Sequence, residues 1–150
     1  MHEWECTGFF TPEIDLDKLK KKGKILVIEC PQRIPCDVCR EVCPTNAIIM
    51  EKISDVPTLN EEKCVLCLKC VENCPGLAIF LLGVEGEKGY MIVPYEFLPI
   101  PKEGDEVKVL DRKGKEIGLG IVKEVRMGDT PLVKVEFSPD ILKEARGFKT

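Results

Sequence analysis

Cysteine spacing constrains this chain more than any other feature. Cys64, Cys67, Cys70 and Cys74, followed by Pro75, form the run C-x2-C-x2-C-x3-C-P. A related run lies 31 positions upstream, where Cys36, Cys39, Cys43 and Pro44 fall on Cys67, Cys70, Cys74 and Pro75, and Ala47 and Ile48 fall on Ala78 and Ile79. An internal repeat of this kind predicts two copies of one structural unit. The copies differ at one place. The position equivalent to Cys64 is Arg33, and the nearest cysteine is Cys30, which gives C-x5-C-x2-C-x3-C-P.

Thiolates are soft ligands, and near-tetrahedral sulfur ligation suits the corners of an iron–sulfur cube. In such a run three cysteines on one tight loop reach one cluster, while the fourth, before the proline, ligates the other. The spacing therefore groups Cys64, Cys67, Cys70 and Cys43 around one [4Fe-4S] cluster. It groups Cys36, Cys39, Cys74 and Cys30 around a second. For Cys30 to ligate, the loop Pro31-Gln32-Arg33-Ile34-Pro35 must bulge, and its two prolines stiffen that excursion. The preceding apolar strand aims Cys30 at the site; without it the first site would be a [3Fe-4S] cluster. Structural zinc also uses C-x2-C pairs, but two such pairs leave Cys43, Cys70 and Cys74 surplus. Cys6 is expected to be a free, partly buried thiol. His2, the only histidine, lies in the N-terminal tail, where no catalytic role is expected.

Composition narrows the class. With 32% charged and 44% hydrophobic residues in 150, the chain suits one medium or two small folded domains. No apolar run approaches the roughly 18–20 residues needed to cross a bilayer, and Met1–Glu5 has neither the basic region nor the apolar core of an export signal. Nine cysteines without such a signal fit a reducing cytoplasm better than a disulfide framework. The abundance of Lys, Glu, Ile and Val resembles a thermophile's composition. The net charge of −4 arises within residues 1–89, which carry 15 Asp/Glu against 11 Lys/Arg. Nucleic acid is thus not an expected partner, since its binding relies on basic patches.

Residues 1–23 read as an N-terminal extension. Thr11-Pro12-Glu13 resembles a helix start, and Lys20-Lys21-Lys22-Gly23 a helix end, read as a solvated cap rather than a docking patch. Lys24–Glu29 reads as a buried strand, 37–43 as a short helix, and 47–50 as a returning strand. Residues 68–73 and 78–84 repeat helix and strand, giving two βα(β) halves about a pseudo-twofold axis. Ile28, Val38, Val42, Ile48, Val65, Leu66, Leu68 and Ile79 are expected to form an apolar shell around the clusters, with Arg40 and Lys69 solvated near the surface. Gly83, Gly86 and Gly89 mark a hinge or hairpin at a domain boundary. Beyond it, 106–110, 117–125 and 132–137 read as strands, Gly118 and Gly120 as a bulge or bend, and Ser138-Pro139 as the start of a last helix. The expected architecture is α+β: a dicluster domain over 24–86, then a small antiparallel, SH3-like β-barrel over 90–150.

Residues 24–84 resemble the dicluster bacterial-type ferredoxins, with the departure at Cys30. The stretch from Glu29 to Cys39, with the β-rich C-terminal segment, is similar more narrowly to small ferredoxin-like subunits of multisubunit FAD-dependent dehydrogenases. Those oxidise proline, hydroxyproline or glycerol 3-phosphate. The resemblance implies an electron-transfer subunit that relays single electrons between a flavin in a partner subunit and a further acceptor. No base, nucleophile or phosphate loop marks the chain itself as a catalyst. The alternative is a freely diffusing 2[4Fe-4S] ferredoxin with an added binding or regulatory barrel.

Overall fold

The computed structural model describes residues 1–150. A short helix α1 (Glu3–Thr7) opens the chain, followed by α2 (Leu16–Lys22) and β1 (Lys24–Ile28). The first repeat then supplies α3 (Val38–Val42) and β2 (Ile48–Ile49), and the second β3 (Thr58–Leu59), α4 (Lys69–Asn73) and β4 (Ile79–Glu85). Helices α3 and α4 sit 31 residues apart at both ends, so the sequence repeat is also a structural one. They pack on each other, while β2 pairs with β3 and β1 with β4, all antiparallel.

Local chemistry explains the entry angles of these elements. Asp15, not Thr11, caps α2: its carboxylate accepts the Lys18 N–H at 3.1 Å. That start lets Leu19 point inward, fully buried. Lys20–Lys22 occupy the last turn and Gly23 closes the helix at φ +85°, as the sequence predicts. Lys18 and Lys22 both reach Glu61, at 2.6 and 2.8 Å, and tie this helix to the second cysteine loop.

The glycine-rich stretch makes a hairpin rather than a hinge. Glu85 pairs with Lys88 across a two-residue turn in which Gly86 takes φ +62°. Strand β5 (Lys88–Pro94) then leads into β6 (Glu106–Leu110), β7 (Glu116–Arg126), β8 (Leu132–Phe137) and β9 (Gly147–Lys149). The resulting antiparallel sheet has seven strands in the order β1-β4-β5-β8-β7-β6-β9. It is an open sheet, continuous from the cysteine-bearing half into the C-terminal half, and no ladder closes residues 90–150 into a barrel. The edge strand β9 instead reaches back through Phe148, whose ring stacks on Tyr95 at 4.7 Å.

In the C-terminal half one feature departs from the sequence reading and another follows it. Ser138-Pro139 starts only a three-residue 3-10 turn, because Leu142 and Ala145 are drawn into the core and the chain goes on into β9, paired with β6. Gly118 does mark a bulge, since the β6–β7 register shifts beside it, between Val109 and Leu110.

Strand β4 is a wall between two cores. Phe80 and Leu82 join Met91, Val93, Val133 and Val135 on one side. Ile79 and Leu81 join Val71, Leu68 and Tyr90 on the other, the side of the cysteines. The alternation follows from the period-2 geometry of a strand buried on both faces. Gly83 ends this run because Tyr90, directly opposite it, lays its ring over the glycine; a Cβ there would stand 2.2 Å from Tyr90 Cζ. Gly83→Ala is therefore expected to destabilise the protein by about 1–3 kcal/mol, the usual range for overpacking. Chemical denaturation measures this directly.

Candidate iron–sulfur centres

Cys64, Cys67 and Cys70 lie on the loop leading into α4 and on its first turn. Cys43, at the C-terminal end of α3, completes the set, and these four line one small cavity walled by Leu26, Ile48, Leu59 and Leu68. The loop is tightly coiled: Leu66 and Leu68 take φ +54° and +67°. Left-handed backbone costs a leucine on the order of 1–2 kcal/mol, strain that tends to persist where function requires it.

Cys30, Cys36 and Cys74 line a second, larger cavity of about 340 Å³. Cys39 lies half-buried beside them, close enough that Cys74, Cys30 and Cys36 each act electrostatically on its thiol. Cys39, Cys64, Cys70 and Cys74 all pack against the one apolar core of Leu26, Val71 and Ile79.

The repeat reaches down to single hydrogen bonds. Asn46 and Leu77, 31 residues apart, take φ +56° and +53°. Each turns the next amide back on the cysteine: Ala47 N–H donates to Cys43 Sγ at 3.2 Å and Ala78 N–H to Cys74 Sγ at 3.4 Å. Such N–H···S donors stabilise thiolate and ligand sulfur. At Cys43 burial raises the thiol pKa, but donors from Ala47, Thr45 and Ile48 outweigh it, and the net shift is downward. Elsewhere burial prevails. It pushes Cys70 up to about 12 and Cys39 to about 11, and raises Cys30 as well, with the neighbouring thiols adding to each.

These residues fit an iron–sulfur group. The donor set is all thiol, and the four cysteines of the smaller cavity sit among apolar side chains, the soft-ligand surroundings that an iron–sulfur cluster takes. Arg112, which lines the larger cavity, also leaves its buried Nε without a partner.

Other expectations resolve individually. Arg33, in the place of a cysteine, is mostly exposed and pairs with Asp55 at 3.3 Å. Arg40 is not a free surface charge: it bonds Asp37 and donates to the Met50 carbonyl at 2.8 Å. Lys69 is exposed, as is Cys6, which was expected to be partly buried. Val65, which lines the smaller cavity, is 62% exposed, so the apolar shell opens to solvent on the side of Cys67, itself exposed. The larger cavity is covered by residues that spacing gave no reason to place there. Trp4 and Phe10 from the N-terminal segment line it, with Glu29 and Arg112. Only Cys30's neighbour Glu29 was near a marked position; the rest are brought in by long-range folding.

Comparison with known proteins agrees with this chemistry. Residues 57–80 match the 4Fe-4S binding domain. The chain is 43% identical to a polyferredoxin-like protein of Methanocaldococcus jannaschii over 31% of this chain and 34% of the relative. It is 39% identical to the polyferredoxin-like subunit of an aliphatic sulfonate oxidoreductase of Pyrococcus furiosus, over 33% of this chain and 26% of that one. A ferredoxin of M. jannaschii is 37% identical over 29% of this chain and 27% of its own length. The chain thus spans about a third or less of the curated relatives it matches, and no solved structure matches it. What these matches support is an iron–sulfur, ferredoxin-type electron-transfer protein with a 4Fe-4S segment.

In cluster-free protein at pH 8, iodoacetamide is expected to modify Cys43 well before Cys70, because only the thiolate reacts. Mass spectrometry of timed digests reads the order, and equal rates would contradict the burial described here.

Proposed function

We propose that this chain is a non-catalytic electron-transfer subunit that binds two [4Fe-4S] clusters and relays single electrons between a flavin in a partner dehydrogenase subunit and a further acceptor. Cys30, Cys36, Cys39 and Cys74 would hold the first cluster, and Cys43, Cys64, Cys67 and Cys70 the second. The observation that carries the reading is the pair of cysteine-lined cavities, each drawing one cysteine from the opposite repeat and both backed by one apolar core. When bound, the clusters supply reversible one-electron chemistry.

The chain's own residues position, insulate and connect. Ala47 and Ala78 direct amides at sulfur; Leu26, Leu68 and Val71 keep water from the space between the sites. The open edge at Cys67 and Val65 offers a surface for electron exchange with another protein. A subunit role gains support from the P. furiosus relative, named as a subunit of an oxidoreductase. The C-terminal strands, joined to the cysteine-bearing half through β4 and β5, would dock the chain onto its partner.

Anaerobic purification from the native source is expected to yield a brown complex containing an FAD subunit and about eight irons per copy of this chain. A lone 16.9 kDa particle with clusters would instead establish a diffusing carrier. Cys30→Ser is expected to lower the iron content; unchanged iron would remove Cys30 from the ligand set.

A further inference from the structure

Charge beside the Cys30 loop is out of balance. Glu29, immediately before Cys30, is 6% exposed and faces two guanidinium groups: Arg112 bonds one carboxylate oxygen, and Arg146 Nε stands 2.9 Å from the other. Among the buried groups one carboxylate meets two guanidiniums, an excess of one positive charge; Glu144, which also acts on Arg146, is exposed and offsets it only through solvent. Arg146 is 1% exposed, lies over the Phe80 ring at 5.5 Å, and donates only to the Ala145 carbonyl, at 2.7 Å. Its Nη2 and the Nε of Arg112 have no hydrogen-bond partner. Buried charge left in surplus is costly unless something of opposite sign stands near it.

The cavity supplies that position. Arg112 and Glu29 line it together with Cys30, Cys36 and Cys74. Four thiolates and an oxidised four-iron cube make an anionic group, and reduction adds a further negative charge. The second cavity differs: its own lining contains no charged side chain, Asn60 stands at the repeat position of Glu29, and the charges beside Cys64, Lys18 and Lys22 on Glu61, are solvent-exposed and so screened. We infer that the Glu29–Arg112–Arg146 trio raises the reduction potential of the cluster held at Cys30, Cys36, Cys39 and Cys74 above that of its twin, so that electrons settle at this site. Arg112 and Arg146 are positioning residues for charge. They act across a partly buried space in which Coulomb interactions are weakly screened. The inference rests on the ligand reading given above.

Redox titration followed by electron paramagnetic resonance tests it on the cluster-loaded protein. The signal of the first site is the one perturbed by Cys36→Ser. Arg112→Gln is expected to shift that cluster's midpoint downward, and Glu29→Gln to shift it upward, while the other cluster stays in place. Opposite signs distinguish charge from packing, because a purely structural lesion has no reason to move the potential in both directions. Arg112→Lys, which keeps the charge, is expected to leave the midpoint near that of the wild type. Unchanged midpoints in both glutamine variants, or shifts of the same sign, overturn the proposal and leave the ligand reading intact. Should Arg112→Gln not retain iron, the sign of the Glu29→Gln shift decides alone. A wild-type protein that holds fewer than two clusters removes the ligand reading itself, and this proposal with it.

Discussion

Strand β4 is the constraint on which the rest of the molecule depends. It leaves Cys74 after a short turn, enters the sheet at Ile79, and buries alternate residues on opposite sides. Ile79 and Leu81 close the apolar core behind the cysteines; Phe80 and Leu82 close the core of the C-terminal half. Replacing a fully buried leucine such as Leu82 by alanine removes about 2–5 kcal/mol, and here the loss would fall on the sheet both halves share. The cysteine-bearing half and the added strands are thus coupled by packing, and a displacement of β4 would move Cys74 with it.

The 31-residue repeat explains why both sites have the same local grammar, and its breaks explain why they differ. Helix limits, positive-φ positions and N–H···S donors are duplicated. Where the copies diverge, the environments separate. The second copy has the compact loop with Leu66 and Leu68 in left-handed conformations, small apolar walls and an open edge at Cys67. The first copy has the prolonged Pro31–Pro35 loop, and other parts of the chain cover it: Trp4 and Phe10 from the N-terminus, Arg112 from the turn after β6. Lys113, on that same turn, lies 5.9 Å from the Phe9 ring, so the N-terminal segment is held between the cysteine loops and the sheet.

What the sequence made legible was local. Metal-ligand spacing, the short helices, the strands at 106–110 and 132–137 and the cap at Gly23 all follow from patterns within a dozen residues. What it concealed was long-range. Three residues of β9 carry no periodicity that would announce a strand, and only pairing with β6 makes them one. Closure of residues 90–150 into a barrel was inferred from strand count, but ladder order depends on where the first strand is already engaged: β5 is taken on one side by β4 and on the other by β8. The Glu29, Arg112 and Arg146 assembly joins three distant segments, and single charged residues in a sequence look alike whether they meet or not.

The trio also ties together the two ends of an open sheet. β1 and β9 are the outer strands, with no backbone ladder between them. Glu29 follows β1 directly and Arg146 precedes β9, so their ion pair joins the two free edges through side chains, and the stacking of Phe148 on Tyr95 reinforces the same closure. A buried ion pair is a poor source of net stability because desolvation offsets most of the attraction. An apolar contact would bring the edges together at lower cost. Arginines at this seam make physical sense when the space beside it holds negative charge, and that space is the cavity of Cys30, Cys36 and Cys74. The closure of the sheet and the electrostatics of the first site are therefore one arrangement.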